Sequence, residues 1–240
     1  MKLRSVLIGG GALVLAAVMA YSGLQLWSIH ADTSQESAMH GQVLAYRPTT
    51  SPGATADNPV LADMQGTYPD VVGWLHIPHT RIDYPFAQGQ DNDQYLHRDL
   101  NQQASKAGTI FLDYRNSPGL TDVNSVIFGH HMRNGSMFNN LRLFTDQKFF
   151  DANPSGTIYL PDATYTIQFI AFAEIKPDDP MIYNTELAGD QTAAFLAHVK
   201  TVARHFRDVG ATAGDRFVTL SSCDYEFRNA RMVLIGRLVG

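Results

Sequence analysis

The chain has 240 residues, of which 45% are hydrophobic and 17% charged, with a formal net charge of −5 and a single cysteine. This composition excludes a wholly disordered chain, and its 18 Lys and Arg residues provide no broad basic surface for a phosphate backbone, which argues against nucleic-acid binding. One cysteine excludes an intramolecular disulfide and a Cys-rich zinc site. The thiol can still act as a single reactive group, pair with another chain, or pack in the core.

Residues 1–30 are predicted to comprise a cytoplasmic N-terminus and a transmembrane signal anchor. The run from Ser5 to Ile29 has no charged residue and, as a helix, is long enough to cross a hydrocarbon core of about 30 Å. Lys2 and Arg4 precede it, and positive charge on the short N-terminal side favours keeping that end in the cytoplasm. Everything after the anchor is therefore expected outside the membrane.

A cleaved signal peptide is the alternative interpretation of the same segment. Val18-Met19-Ala20 loosely resembles a small-residue cleavage site. The apolar run continues beyond that site to Trp27, an aromatic residue suited to the membrane interface, whereas a cleaved signal normally stops sooner. We therefore favour an uncleaved single-pass anchor.

Residues 31–58 are predicted to form a flexible extracellular spacer. The segment from about Asp32 to Asn58 is rich in Ser, Thr, Gln, Ala, Gly and Pro and shows neither helical nor strand periodicity. Residues 59–240 remain as one folded domain, which is long enough to bury a sizeable core. This domain is expected to contain the functional site.

The folded part is predicted to be mainly β. Its short apolar segments are bounded by turn residues and rich in β-branched and aromatic side chains, and several are too short to be helices. These predicted strands are 71–77, 81–87, 108–114, 125–129, 156–160, 164–175, 217–222 and 231–239. So many short strands in one domain indicate closure into a barrel or a sandwich.

One long helix is predicted near residues 190–207. Phe195, Val199 and Val202 belong to an apolar stripe at helical spacing, which we interpret as core packing and not as a cofactor site. Shorter helices are expected around 136–143 and before Trp74. No internal repeat of solenoid or propeller type is present.

The lone Cys223 ends the predicted strand 217–222, a position where a rigid scaffold can present a nucleophile to a substrate. Free cysteines are also commonly small buried hydrophobes, so packing is the alternative. Arg231 begins the next strand, and a hairpin would bring its guanidinium near the thiol, where it could favour the thiolate or stabilise an oxyanion. Arg228 competes for this role, although its position also suits a solvated turn.

A thiol that attacks a carbonyl needs a partner base, and nine histidines are available. His130 and His131 have the best context, because they follow the predicted strand 125–129 at its end. The pairs His76/His79 and His130/His131 do not converge on one ion in extended chain, so no metal site and no cofactor are predicted. The chain has no GxSxG elbow, Walker loop, GxGxxG after a strand or HExxH, which leaves Cys-His-Arg chemistry as the leading enzyme hypothesis.

Several motifs together make the sequence resemble a class B sortase of the Gram-positive cell envelope. The segment Thr219–Cys223 is similar to the family signature TLxTC, and Arg231 follows where the family has its catalytic arginine. Phe128–Met132 and Asn134–Phe138 are close to the class B patterns YGHxM and DGSMF. The resemblance extends from Tyr68 to Val239 and includes DVVGWLHIPHTRIDYP, DNDQYL and AGTIFLD.

The resemblance implies a closed barrel of about eight strands and a catalytic set of Cys223 as nucleophile, His130 as general acid/base and Arg231 as the group that holds the carbonyl or oxyanion. His131 fills a variable place. By the same resemblance, the substrate-binding residues are Asn92, Tyr95, Leu96, Ser221, Ser222 and Asp224. The chain departs from the family pattern at Ser222, where threonine is usual, and at Phe128, where tyrosine is usual.

The resemblance also implies transpeptidation. A sorting signal of LPxTG or NPxTN type in a secreted protein would be cut through a Cys223 thioester, and an amine of a peptidoglycan precursor or a pilin lysine would accept the acyl group. One alternative is a surface cysteine peptidase or amidase that uses water as acceptor. Another is a non-enzymatic anchored adhesion domain in which Cys223 is inert.

Overall fold

The computed structural model of the chain describes residues 2–49, 57–223 and 230–240, without the side chains of residues 2–14, Ile29 and Cys223. Its strands are β1 (Val71–His76), β2 (Asp83–Ala87), β3 (Ile110–Leu112), β4 (Asn124–His130), β5 (Ser155–Leu160), β6 (Ala163–Ile175), β7 (His205–Phe206), β8 (Arg216–Cys223) and β9 (Arg231–Val239). Every predicted strand is present, with its ends shifted by at most a few residues. The two-residue β7 was not predicted.

The strands close into a barrel. Their order is β5-β1-β2-β3-β4-β8-β9-β6, and pairing of β6 with β5 completes the ring, while β7 adds to β6 outside it. The predicted mainly β fold with eight-strand barrel closure is therefore confirmed. Strands β4 and β8 are parallel, and a parallel pair needs a long connection between its members. Residues 131–215 provide it, and strands β5, β6 and β7 lie within this connection.

The barrel interior is filled by apolar side chains that alternate along the strands. Ile127 on β4, Leu220 on β8 and Leu234 on β9 are all fully buried in one cluster with Phe86 and Phe169. Burial of each such side chain contributes about 1.5–3 kcal/mol relative to leaving it exposed. The packed interior makes the strand ends rigid, and it is at the ends of β4, β8 and β9 that the predicted catalytic residues lie.

Four α-helices pack outside the barrel: α1 (Lys2–Val43), α2 (Pro59–Thr67), α3 (Gln147–Ala152) and α4 (Thr192–Val202). The predicted helix near 190–207 is α4, and its Phe195 and Val199 are buried as expected. It ends earlier than predicted because Ala203 adopts extended backbone and the chain then pairs with β6 as β7. The other two predicted helices correspond to α2 and to a 3-10 helix at Phe138–Thr145.

The N-terminal region is more regular than predicted. Helix α1 continues to Val43, so the first part of the segment predicted to be a flexible spacer is helical. The physical reason is tertiary contact: Met39 and Val43, four residues apart on the helix, pack against the barrel, and Glu36 is buried beside them. Residues 50–56 of the predicted spacer lie outside the described residues.

Across the part of the chain with described side chains, we find no helix whose length and apolar character would let it cross a bilayer. Much of the predicted anchor lies in residues 2–14, whose side chains are outside that part. The single-pass anchor therefore stays a prediction.

Candidate active site

Strands β4 and β8 bring His130 and Cys223 to the same edge of the sheet. The two strands run parallel in unbroken register from Asn124↔Phe217 to His130↔Cys223. Neighbouring strands lie about 4.8 Å apart, so the backbones of the two predicted catalytic residues are adjacent. His130 and Cys223 are far apart in the sequence, and the parallel pairing of β4 with β8 brings them together.

Arg231 lies at the third neighbouring strand end. Strand β9 is antiparallel to β8, with Ser221 opposite Val233. The pairing ends there; Cys223 lies two residues after Ser221, and Arg231, the first residue of β9, lies two residues before Val233. Arg231 is partly buried, and its charge is one of the influences on His130. Arg228, the competing arginine, lies outside the described residues.

His130 is held in one orientation. Its side chain is buried, and Nε2 lies 2.7 Å from the Leu96 carbonyl oxygen. A carbonyl oxygen can only accept, so Nε2 donates this hydrogen bond and carries the proton of the neutral ring. Phe138 packs against the strand end beneath this residue; a Cβ on the neighbouring Gly129 would lie 2.8 Å from the Phe138 ring, so only glycine fits there.

The environment of His130 favours its neutral form. Burial is the main cause that lowers its pKa, and the charges of His97 and Arg231 lower it further, while the hydrogen bond to Leu96 acts in the opposite direction. A neutral imidazole at physiological pH can take a proton from a thiol and return it to a leaving amine. The site is therefore suited to general acid/base catalysis.

We expect the His130 imidazole to titrate below the range of an ordinary histidine, and we expect His97→Gln to raise its pKa by removing a neighbouring positive charge. NMR titration of the His130 ring in a Cys223→Ala background measures this without a coupled thiol. His198→Gln, a change on α4, is the matched control. A His130 pKa that stays the same in His97→Gln would contradict the electrostatic argument.

The sequence did not single out His97 as a site residue. Its ring centroid lies 6.5 Å from that of His130, and its side chain is 56% exposed. Asp93, four residues earlier, lies 3.6 Å from its Nε2. No sequence signal distinguishes this histidine from the others, because its relevance comes from the loop that also provides the Leu96 carbonyl.

The predicted substrate-binding residues Asn92 and Leu96 lie in this same loop and are partly exposed. The Asn92 side chain donates to Asp113 Oδ2 at 3.0 Å and accepts from the Tyr114 backbone N–H at 3.1 Å. Both ends of the amide are thus held in place. Leu96 contributes its carbonyl to His130, so it contacts the catalytic histidine directly.

Tyr95 does not lie at the surface that a substrate contact requires. It is 1% exposed, and its hydroxyl donates to Asp70 at 2.6 Å and accepts from Gln102 at 2.7 Å. Burial and the Asp70 carboxylate raise the pKa of the phenol far above its usual value, so the hydroxyl stays protonated. Tyr95 lies in a turn, and its side chain points inward to Asp70 and Gln102 while those on either side are partly exposed.

The residues before Cys223 are buried. The Ser221 hydroxyl lies 2.9 Å from that of Tyr183. The Ser222 hydroxyl is also buried and has no hydrogen-bond partner among the described residues. Asp224, the last predicted substrate-binding residue, lies outside the described residues. Within the described ranges, no three His, Cys, Asp or Glu side chains come together to hold a metal ion.

Tyr183 is a site residue that the sequence did not reveal. Its ring stacks on Phe128 with centroids 6.0 Å apart, and its hydroxyl contacts Ser221, so it bridges β4 and β8 two residues before His130 and Cys223. Asp179 folds the segment, because its Oδ1 accepts from the backbone N–H groups of Met181 and Ile182 at 3.0 and 2.9 Å. An aspartate commonly begins a turn, so Asp179 was the sequence feature that could have indicated a folded segment here.

His198 on α4 secures this turn, with Nε2 2.9 Å from Asp179 Oδ2. We expect Asp179→Ala to raise KM for peptide cleavage by roughly three- to tenfold, since the loss of several hydrogen bonds releases the Tyr183 segment. Steady-state kinetics check this, with the exposed neighbour Asp178→Ala as control. An unchanged KM in Asp179→Ala would show that the segment does not contact substrate.

Comparison with known proteins agrees with this geometry. A family profile described as the sortase domain matches residues 75–239. Sortase B of Listeria monocytogenes is 35% identical and aligns over 100% of this chain and 99% of its own length.

Two solved structures are also similar. The sortase B structure of Clostridium perfringens is 31% identical, with a TM-score of 0.70 over 75% of this chain and 100% of its own. A Staphylococcus aureus sortase B–substrate complex is 26% identical, with a TM-score of 0.72 over 76% and 86% of the two chains. Matches of this extent, together with the closed barrel, lead to one conclusion: the chain belongs to the sortase B family of cysteine transpeptidases.

Proposed function

We propose that Cys223 is the nucleophile of this transpeptidase, His130 its general acid/base and Arg231 the cation that stabilises the oxyanion. The observation that supports this most directly is the pairing of His130 with Cys223 in the β4–β8 register, together with the influence of the Arg231 charge on His130. The lowered pKa of His130 and the tautomer imposed by Leu96 suit the proposed role.

In the proposed reaction, His130 takes the thiol proton and the thiolate attacks the scissile carbonyl carbon. The carbonyl becomes an oxyanion beside the Arg231 guanidinium. When the C–N bond breaks, the leaving amine takes the proton from His130 and the acyl group stays on sulfur as a thioester. An acceptor amine then attacks, gives its proton through His130 to the thiolate, and leaves as a new amide. One amide is exchanged for another, and no cofactor is consumed.

The proposed substrates are secreted proteins with a C-terminal sorting signal of LPxTG or NPxTN type, and the proposed acceptors are peptidoglycan precursor amines or a pilin lysine. The hydrogen bond from His130 to the Leu96 carbonyl supports a substrate-binding role for the loop that carries Asn92 and Leu96, and Ser221 lies two residues before Cys223. Tyr95 is assigned a positioning role, since its buried hydroxyl network fixes the segment that carries Leu96. Ser222 and Asp224 complete the proposed set.

We further propose that the chain is held at the cell membrane by residues 1–30, with a cytoplasmic N-terminus and with residues 31–58 and the catalytic domain of 59–240 on the outer face. Large apolar side chains along α1 support this, because they project from the helix with more than half of their surface exposed: Leu15, Val18, Met19, Tyr21, Leu24, Leu26 and Trp27. Such exposure is unfavourable in water and favourable in lipid.

A panel of LPxTG and NPxTN pentapeptides, each tested with and without an amine acceptor, tests the proposal. We expect one class of peptide to be cleaved, its acyl part to be joined to the amine, and the ligation product to increase with amine concentration. Cleavage with water as the only acceptor at every amine concentration would favour the peptidase alternative. A lack of cleavage, together with no iodoacetamide labelling of Cys223, would favour an inert thiol.

A further inference from the structure

Two consecutive residues of α1, Gln35 and Glu36, reach two different loops of the catalytic domain. The Gln35 side-chain amide donates to Asp99 Oδ2 at 3.2 Å and to the Ala104 carbonyl at 3.1 Å. The Glu36 carboxylate accepts from the Asn134 side-chain amide at 2.8 Å. Glu36 is only 9% exposed, which is unusual for a glutamate unless it is paired.

These two loops are the ones that orient His130. The first loop provides the Leu96 carbonyl, and Asp99 follows that residue by three positions. The second loop begins directly after His130. Within it, Asn134 Oδ1 accepts from both the backbone N–H and the hydroxyl of Ser136, at 3.1 and 2.7 Å. The hydrogen bond between Leu96 and His130 therefore joins two segments that α1 holds from outside.

Other contacts keep this part of α1 against the barrel. Asp32 pairs with Lys106 at 2.6 Å, which ties the helix to the first loop a second time. His40 stacks on Tyr84 with ring centroids 4.6 Å apart, and Val43 is 2% exposed. Contacts thus extend over three turns of the helix, so Gln35 and Glu36 are presented from a fixed support.

We propose that Gln35 and Glu36 are positioning residues of the active site, which clamp the two loops so that the Leu96 carbonyl and the His130 ring stay in hydrogen-bond contact. The helix that leads from the proposed anchor is thereby part of the catalytic framework. The inference rests on the proposed role of His130, and it adds residues outside the sortase domain match, which begins at residue 75.

The chemistry of the two contacts predicts which substitutions are tolerated. Glu36→Gln keeps an oxygen that accepts from Asn134 and is expected to retain activity. Glu36→Ala removes this acceptor and is expected to lose activity. Gln35→Glu places a carboxylate against Asp99 and is expected to be worse than Gln35→Ala, because like charges repel where the native amide donates. Gln42→Ala, an exposed change on the same helix, is the matched control.

The test is the pH profile of peptide cleavage by the full-length chain. We expect Glu36→Ala and Gln35→Glu to lower kcat/KM by roughly five- to twentyfold, the scale of a lost hydrogen bond to a charged group or of a new repulsion. A loosened clamp admits water to His130, and because burial is the main cause of its lowered pKa, the acid limb of the profile is expected to move to higher pH. Arg231 and His97, the other charges facing this ring, are unchanged in every variant.

Three results would overturn the proposed clamp. The first is an unchanged kcat/KM in both Glu36→Ala and Gln35→Glu. The second is a fall in kcat/KM that is the same in Glu36→Gln as in Glu36→Ala. The third is a fall in kcat/KM that follows the melting temperature without a shift of the acid limb of the pH profile, because a role in stability alone produces this pattern. If wild type cleaves and His130→Ala does not, the proposed function stands whatever the clamp variants show.

Discussion

Replacing Cys223 or His130 with alanine is expected to remove peptide cleavage, with kcat/KM falling by at least about 10³-fold in each case. Cys223→Ala removes the only thiol in the chain, so no thioester can form. His130→Ala removes both the acceptor of the thiol proton and the donor to the leaving amine. The buried site offers the reaction no ready substitute, since His97 lies 6.5 Å from the His130 ring, centroid to centroid.

The measurement is kcat/KM for a sorting-signal pentapeptide, with mass spectrometry of the acylated protein. His131→Ala is the matched control, because the Nε2 atom of His131 lies 2.9 Å from Asn139 Nδ2, whereas that of His130 binds the Leu96 carbonyl. We expect this control to lose no more than about fivefold. If His131→Ala loses as much as His130→Ala, the general acid/base has been assigned to the wrong histidine. Cleavage by Cys223→Ala at the wild-type rate would exclude a thioester mechanism.

Arg231→Ala is expected to lower kcat by roughly 10²- to 10³-fold, the usual effect of removing one oxyanion donor. Arg231 begins β9 next to the end of β8, and its charge acts on His130, so we expect its guanidinium to reach a carbonyl under attack at Cys223. Arg231→Lys keeps the charge but not the planar set of donors, so we expect it to recover only part of the loss.

Arg228→Ala provides the comparison, because Arg228 is the competing candidate from the sequence and lies between β8 and β9 in the chain. Steady-state kinetics of the three variants with one peptide decide between the arginines. Equal losses in Arg231→Ala and Arg228→Ala would refute the assignment, and a larger loss in Arg228→Ala would reverse it.

Much of the barrel could be predicted because its strands are local patterns. Segments such as 125–129 and 217–222 are short, β-branched and bounded by turn residues, and these properties are visible without a partner strand. The order of the strands is a different matter. Nothing in either segment indicates that β4 and β8, some ninety residues apart, pair in parallel. For the site, the strand-end context favoured His130 and His131 among nine histidines, and only the family resemblance selected His130.

The differences from prediction have one physical origin. Residues 32–43 have little helical pattern of their own, yet they form the end of α1 because Met39 and Val43 find an apolar surface on the barrel. Tyr95 turns inward because Asp70 and Gln102 are there to bind its hydroxyl. Tyr183 joins the site because Asp179 and His198 hold its loop over β4 and β8.

The sequence by itself determined the class of fold, the charge-free N-terminal run and the identity of a single thiol in a recognisable signature. Those features depend on residues close together in the chain. Only the tertiary structure decided the neighbours of that signature: the Leu96 carbonyl that sets the His130 tautomer, the His97 charge beside its ring, and the α1 residues that brace both loops. The reason is that burial, hydrogen bonding and electrostatic influence act through space, and the barrel brings together groups that the sequence keeps far apart.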